Sequence, residues 1–438
     1  MGAPLLSIET PSQLPAETEV VVIGAGIIGT TAAYYLARRG VPVVVLEKGH
    51  VGGEQSSRNW GWCRQQNRDA RELPMATQAL ALWDRFASEI GEDVGFRRCG
   101  LTYLSHGPKE IETWAAWCRF ASAHGVTSHV LDAKAASARG AATGQSWRGG
   151  VFSESDGVAD PARAVPVLAR GVAAAGGHVL QGCAARGVLT KAGRVAGVVT
   201  ERGEIRTSHV VMAGGAWASS FCHQLGIGFP HASVRSTILS VNPGADGLPE
   251  ALHTSDVSVT RRGDGGYTLA VSGRGQVVPS WQKLRFAQDF LPMFARRRRL
   301  LSPGVAACPH ETRRRWALDR PTPMEAHRVL EPAVNTSVVR RTLAQGRRLL
   351  PALERVALQA AWAGVIDSTP DGVPVIDASD SLPGFLLAAG FSGHGFGIGP
   401  AAGHLVADLI TGAPPIVDPM PFRLDRLRAA SWGKVAGF

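Results

Sequence analysis

The sequence predicts an α/β protein. A Rossmann-type nucleotide-binding domain is interleaved with an α+β domain, built on a mixed sheet that carries a helical insert. Three observations predict this. An apolar run, Val20 to Ile23, leads into Gly24-Ala25-Gly26-Ile27-Ile28-Gly29 and then a helical stretch. The stretch from His231 to Leu350 changes to alternating strands and basic helices, after which the chain returns to its early style. The chain has 438 residues. At roughly 150 residues per domain that length gives two or three domains with ample core.

Each element has its own signal. Val20 to Ile23 reads as a buried parallel strand, because such strands are apolar on both faces. A helix runs to Arg39, and a second strand, Val43 to Leu46, ends at Glu47, completing a βαβ unit. Gly52 to Arg71 reads as an irregular polar loop. A helix follows from Pro74 to about Ile90, then a strand at Gly100 to Ser105 and a helix near Glu110 to His124. Pro161 suits the first turn of a helix reaching Ala175. Val179, Val188 and Val195 to Thr200 mark short strands, and His209 to Ala213 is another buried one. Val234 to Val241 is a strand, and Val257 to Val271 a hairpin turning at Asp264-Gly265-Gly266. Basic helices are expected around Lys283 to Leu301 and Met324 to Leu349. Strands at Leu358 to Ala363 and Phe385 to Ala389, a glycine loop and a helix from Ala401 to Thr411 close the chain. The expected division is 1–95, 151–228 and 355–438 for the nucleotide-binding domain. The other domain takes 96–150 and 229–354, with its insert at about 280–350.

Composition bounds the function. Lys and Arg number 46 against 36 Asp and Glu, a net charge of +10. Alone, that excess fits nucleic acid, an anionic membrane surface or an acidic ligand. No aromatic–basic pattern or helix-turn-helix signature supports nucleic acid, so none is expected as a partner. No run approaches the ~20 apolar residues that a membrane span requires. The N-terminal stretch lacks the pattern of a secretory signal. The six cysteines are scattered without a CxxC pair or a metal spacing, so no metal site is expected, and reduced thiols in the cytoplasm are.

Gly24, Gly26 and Gly29 form GxGxxG between strand and helix. The first allows a tight turn, the second close approach of a pyrophosphate, the third helix–strand packing. The helix start then offers free N–H groups to phosphate. Glu47 can accept from ribose hydroxyls and disfavours a 2′-phosphate. This unit alone leaves NAD and FAD open. The loop Gly52 to Asn59 brings small residues, hydroxyls and a cation next to the acid, as a wrapping loop for a dinucleotide or a solvated polar loop would.

Three further segments complete a pattern: Val210-Val211-Met212-Ala213-Gly214-Gly215-Ala216-Trp217, Ala363-Gly364 with Thr369-Pro370-Asp371-Gly372, and Gly390-Phe391-Ser392-Gly393-His394-Gly395-Phe396-Gly397-Ile398-Gly399-Pro400. With the N-terminal unit they resemble the D-amino-acid oxidase superfamily of flavoproteins, which includes glycine and sarcosine oxidases. Within it, the chain looks most like the L-amino-acid deaminase group. The shared stretches are Leu46-Glu47-Lys48-Gly49, Gly53-Glu54-Gln55-Ser56, Gly203 to Ser208, Gly399 to Ala407, the tail Val417 to Arg426 and an insert between the Tyr267 hairpin and Trp362. Two departures stand out. Those deaminases carry an N-terminal membrane helix that is not seen here, and Asn59-Trp60-Gly61-Trp62-Cys63-Arg64-Gln65-Gln66 differs from theirs.

The resemblance implies non-covalent FAD and oxidative deamination of an α-amino acid, L favoured, to a 2-oxo acid and ammonia. Hydride transfer from Cα to flavin N5 would be followed by reoxidation by O2 or a quinone. The alternative is a secondary-amine (sarcosine- or proline-like) or D-amino acid oxidase or dehydrogenase. Covalent-flavin members place a Cys near Gly364, where this chain has none. Cofactor contacts are expected at Gly24, Ala25, Gly26, Ile28, Gly29, Glu47 and Lys48, then at Gln55, Ser56, Ser57, Arg58 and Ala185. Further ones are expected at Gly214, Gly215, Trp217, Gly364, Gly390, Gly393, His394, Gly395, Phe396, Gly397 and Ile398. A helix start near Gly399 to Ala402 would face the flavin's pyrimidine edge, with His394 adding positive character. Arg274, after the strand Thr268 to Ser272, is expected to pair with the substrate carboxylate, since its fork matches that group. Trp60, Trp62, Gln276 and Gly393 are expected in the substrate pocket, and Arg274 and His394 are the candidate catalytic residues. Arg296-Arg297-Arg298-Arg299 after Phe286, Phe290, Leu291 and Phe294 reads either as an interfacial helix or as a solvated basic face. Peripheral contact with the inner membrane through 283–301 belongs to the first reading. The sequence leaves the oligomeric state open, a homodimer among the options.

Overall fold

A computed structural model describes residues 2–244, 247–271 and 273–427. Ser272, the last residue of one expected strand, lies outside the described residues.

Two sheets organise the chain. The first has six strands in the order Val375–Ala378, Phe385–Ala389, His209–Met212, Val20–Ile23, Val43–Leu46 and His178–Leu180. All neighbours are parallel except the antiparallel edge strand Val375–Ala378. Val20–Ile23 and Val43–Leu46 are buried along their whole length, which is why both are unbroken apolar runs. Helices Ile27–Arg38, Leu73–Ile90, Ala164–Ala174 and Gly395–Thr411 pack together over this sheet. Ala185–Lys191, Arg194–Thr200 and Gly203–Arg206 form a small antiparallel sheet beside it.

The second sheet has ten strands and mixed pairing. Its spine is Ala232–Val241, paired antiparallel along Leu358–Ser368 from Ala232–Ser368 to Val241–Leu358. The hairpin Ser258–Arg261/Tyr267–Ala270 turns at Asp264-Gly265-Gly266, where Gly265 has φ +83° and Asp264 Oδ1 accepts the Gly266 N–H at 2.9 Å. Leu101–Ser105, His129–Leu131 and Gly149–Ser153 extend the far edge.

Four elements differ from the sequence reading. The strand expected at Leu358 to Ala363 runs on to Ser368, because pairing with Ala232–Val241 continues past the apolar residues. The basic segment Lys283 to Leu301 splits into Trp281–Arg285, Leu291–Arg297 and a 3₁₀ turn at Arg298–Leu300. Pro292 lies in the first turn of the middle piece, the position where its missing N–H costs nothing. Met324 to Leu349 likewise divides into Pro323–Ala326 and Thr336–Leu349, with Pro332 between them and Asn335 capping the second.

The last difference matters most for function. The expected glycine loop before Ala401 is the beginning of the helix, which starts at Gly395. Its glycines serve close packing. A Cβ at Gly399 would sit 2.5 Å from Ile27 Cγ1, and one at Gly403 2.2 Å from Thr31 Oγ1. Gly399 O also accepts from Thr31 Oγ1 at 3.0 Å. Tertiary packing therefore overrides the poor helix propensity of glycine and the internal Pro400.

Candidate active site

The carboxyl ends of the parallel strands open into a cleft of about 960 Å³ that extends under the mixed sheet. Sites at this end of an open α/β sheet are the rule. The volume sits near the top of the roughly 300–1,000 Å³ range of ligand cavities, as an extended dinucleotide requires.

The nucleotide end is built on the first strand–turn–helix. Gly24 adopts φ +103°, and a Cβ there would meet Ala213 O at 2.6 Å, so only glycine fits. A Cβ at Gly29 would collide with Gly24 O at 2.0 Å, which makes Gly29 the packing glycine of the turn. Glu47 Oε2 accepts the Ala25 N–H at 2.9 Å and Oε1 the Gly49 N–H at 2.8 Å. Desolvation raises the Glu47 pKa, against the opposing charge of Lys48 and these N–H donors. Ser56 Oγ accepts the Ile27 N–H at 2.9 Å and so caps the helix start. Lys48 reaches Glu54 Oε1 at 2.5 Å and the carbonyls of His327 and Arg328, with its ammonium 5.2 Å from the Trp217 ring.

Most of the residues expected to contact cofactor line this one cleft. Gly24, Gly26, Ile28, Glu47 and Lys48 meet Gln55, Ser56, Arg58 and Ala185 there, with Gly214, Gly215, Trp217 and Gly364 opposite. Gly393, His394, Gly395, Phe396 and Gly397 close its inner end. Ala25, Gly29, Ser57, Gly390 and Ile398 support the lining without being part of it. Arg58 does less for a phosphate than the sequence implies. Its Nη1 is committed to the carbonyls of Leu330 and Ala363, each at 2.8 Å, which ties the loop to the mixed sheet.

These residues fit a flavin dinucleotide. The glycine turn, the capped helix start and the acid at the end of the second strand are present together. Trp217 lines the cleft, and its buried Nε1 has no hydrogen-bond partner among the described residues. None of the six cysteines lines the cleft.

The inner end is aromatic and charged. Trp60 and Trp62 stand edge to face at 5.0 Å, and Trp62 Nε1 donates to Thr260 Oγ1 at 2.7 Å. Arg274 is exposed on the loop between Tyr267–Ala270 and Gly275–Val277, and lines the cleft. Gln276 does not; it turns to Pro303 O at 3.4 Å along the pairing with Leu301–Pro303. His394 is the N-terminal flanking residue of Gly395–Thr411, and its Nδ1 lies 3.1 Å from Oε1 of the fully buried Glu72. Desolvation pulls the His394 pKa down, with Glu72 opposing. For Glu72 the order reverses: desolvation pushes up, but His394 and Arg68 outweigh it and hold the carboxylate below its ordinary range. The arrangement is a mainly neutral imidazole beside an anionic carboxylate, at the positive end of a helix.

Sequence reasoning missed several lining residues. Arg64, Arg68, Tyr103 and His253 face the cleft, as does Asp367. Asp367 Oδ2 accepts the Gly390 N–H at 2.7 Å, and desolvation pushes its pKa up to about 6. Arg64 and Arg68, four apart, fall in and just beyond the segment that departs from the deaminase pattern, the one local signal that could have found them. Glu72 precedes the Leu73–Ile90 helix without any signature of its own, since its partner is 322 residues away.

The fold and this cleft define a flavin-dependent oxidoreductase. Residues 19–409 match the family described as DAO, FAD dependent oxidoreductase, and the chain belongs to it. It is 27% identical over 428 residues to a glycine oxidase of Pseudomonas aeruginosa, covering 92% of this chain and 97% of that one. It is 25% identical over 430 residues to the mitochondrial sarcosine dehydrogenase of Mus musculus, covering 95% of this chain but 42% of that protein. Among solved structures, the L-amino acid deaminase of Proteus myxofaciens in complex with anthranilate superimposes with a TM-score of 0.92 at 28% identity, covering 97% of each chain. The protein is thus an FAD-dependent enzyme of the amino acid oxidase and dehydrogenase type.

Proposed function

We propose that the enzyme oxidatively deaminates an α-amino acid, an L-amino acid in preference, to the 2-oxo acid and ammonia, with the acceptor being O2 or a quinone. The observation that carries this reading is the meeting, in one cleft, of the dinucleotide cradle with an inner end holding Arg274, the Trp60–Trp62 pair and the Glu72–His394 pair. The likeness to the Proteus myxofaciens deaminase over the full length supports it.

FAD, held without a covalent bond, supplies the two-electron oxidation of the substrate's Cα–N bond. The chain supplies position and electrostatics. Arg274 offers a bidentate fork to the α-carboxylate. Trp60 and Trp62 wall the pocket and exclude water, which strengthens every charge interaction inside it. The helix Gly395–Thr411 begins at the cleft lining, and the positive end of its dipole favours negative charge there. His394, held by Glu72, orients this end, and the reading requires no obligatory base from it.

The two-domain division at 1–95, 151–228 and 355–438 against 96–150 and 229–354 belongs to this reading. Gly149–Ser153 straddles the border at 150/151, and Leu358–Ser368, on the nucleotide-binding side of the division, pairs in the mixed sheet.

An anaerobic screen of flavin reduction over both enantiomers of the common amino acids, with sarcosine and proline alongside, tests the function. Reduction by L-amino acids with release of ammonia is expected. Reduction confined to secondary amines, without ammonia, would replace this reading with amine oxidation.

A further inference from the structure

Arg68 is 3% exposed at the wall of the cleft, and its Nη1 has no hydrogen-bond partner among the described residues. Its Nε donates to Arg64 O at 3.2 Å. Arg64 lines the same wall and donates from Nη1 to the Gln66 carbonyl. Among the described residues no carboxylate comes within 4.0 Å of either guanidinium nitrogen set to form a salt bridge, whereas the half-buried Arg58, Arg71, Arg186 and Arg426 each have one.

Two buried carboxylates, Glu72 and Asp156, act on Arg68 from beyond ion-pair distance. Asp156 is fully buried and accepts the Gln65 and Gln66 N–H groups at 2.7 and 3.2 Å. Glu72 is held at Oε1 by His394, and its buried Oε2 has no hydrogen-bond partner among the described residues. Glu110, on the cleft wall, has Oε2 taken by Ser105 Oγ at 2.5 Å. Around the two cations stand aromatic rings: Tyr103 lies 6.1 Å from Trp62 and 4.8 Å from His253. Burial pulls Arg68 down only to about 10, so it stays cationic at neutral pH. Glu72 and Asp156 offset part of the cost of burying this charge, but the guanidinium donors that face no carboxylate within ion-pair distance remain for an anion to take.

We infer that Arg64 and Arg68 form a second anion-binding element of the cleft, which takes the side-chain carboxylate of an acidic amino acid whose α-carboxylate is held by Arg274. The inference rests on the proposed amino acid oxidation and names its substrate class. A buried, charge-assisted pair of this kind discriminates a carboxylate from its amide by about tenfold to a hundredfold. The neutral isostere would leave the guanidiniums unpaired, the same cost the empty pocket carries.

The test uses the FAD-loaded enzyme and the ratio of kcat/KM for L-glutamate over L-glutamine, and for L-aspartate over L-asparagine. At least one ratio should exceed about ten and fall toward one in Arg64→Gln and in Arg68→Met. Arg64 is half-buried, so its variant keeps the test alive should Arg68→Met fail to fold. A wild-type ratio near one, or a ratio that survives both substitutions because acid and amide lose equally, overturns the inference and assigns these arginines to the α-carboxylate. Should no amino acid reduce the flavin, the functional reading fails first, and binding decides separately. Glutarate should then perturb the flavin absorbance of the wild type and not of Arg64→Gln; no perturbation of the wild type would also overturn it.

Discussion

Arg274 owes its candidate role to position rather than burial. It stands exposed on a loop at the cleft wall, and among the described residues it makes none of the carbonyl bonds that immobilise Arg58. A carboxylate entering the cleft therefore meets a guanidinium with its fork available. Replacing it with alanine removes a charge-assisted pair of about 2–3 kcal/mol, so KM for amino acid should rise roughly 30- to 150-fold. Flavin content should stay as in the wild type, because Arg274 lies apart from the glycine turn and the helix cap. Steady-state kinetics with flavin-to-protein absorbance ratios check both, and an unchanged KM would hand the carboxylate to another residue.

At the scale of elements, the helix Gly395–Thr411 ties the site to the core. Trp83 Nε1 donates to Gly397 O at 2.9 Å, and a Cβ at Gly397 would meet Trp62 O at 2.6 Å. The same close approach that fixes Trp62 in the pocket thus brings the helix start to the cleft. The segment 281–300 poses a different question. Trp281, Leu284, Leu291, Phe294 and Leu300 are all exposed, at 40% or more. Arg298 and Arg299 beside them are exposed as well, whereas Arg296 and Arg297 line the cleft mouth. No helix among the described residues is long and apolar enough to cross a membrane. An apolar patch rimmed by arginines is suited to an anionic lipid surface at the entrance to the site, and peripheral contact through this segment is part of our proposal. Co-sedimentation with vesicles containing anionic lipid at low salt should be strong and should weaken with salt; no binding would leave the patch a solvated face.

The whole molecule carries a buried histidine group away from the inner site. His231 is fully buried and bonded to Gln282 Nε2 at 2.8 Å, and His310 is 1% exposed with neither ring nitrogen hydrogen-bonded among the described residues, its Nε2 standing 3.8 Å from Glu311 Oε1. Glu311 beside them bonds Lys283 Nζ at 2.7 Å from both oxygens. Desolvation pushes His231 down to about 3 and His310 to about 4, against an ordinary value of 6.5. The unfolded chain therefore binds more protons than the folded one between those values and 6.5. Stability contributed by the neutral rings is present above pH 6.5 and is lost as pH falls through that window, by up to about 1.4 kcal/mol per pH unit per ring. His310→Phe removes one such term. Its thermal midpoint should gain on the wild type steadily from pH 6.5 to pH 4, and a constant difference would refute the assignment.

Much of this protein was legible in one dimension. Val20–Ile23, Val43–Leu46 and Phe385–Ala389 stand where the apolar runs end, because a strand buried on both faces leaves no room for polar residues. The glycine turn and Glu47 were equally plain, since a pyrophosphate-binding turn is a local backbone requirement. What sequence could not decide was which charges meet. Glu72 finds His394, and Gly397 finds Trp62, across more than 300 residues, and no local pattern encodes such pairs. The glycine-rich stretch before Ala401 showed the same limit from the other side. By propensity it is a loop, and it becomes a helix because its missing side chains let Ile27 and Trp62 approach. Sequence determined the nucleotide-binding unit, whose physics is local; tertiary structure decided the substrate end, where desolvation and long-range pairing set the charge that a ligand meets.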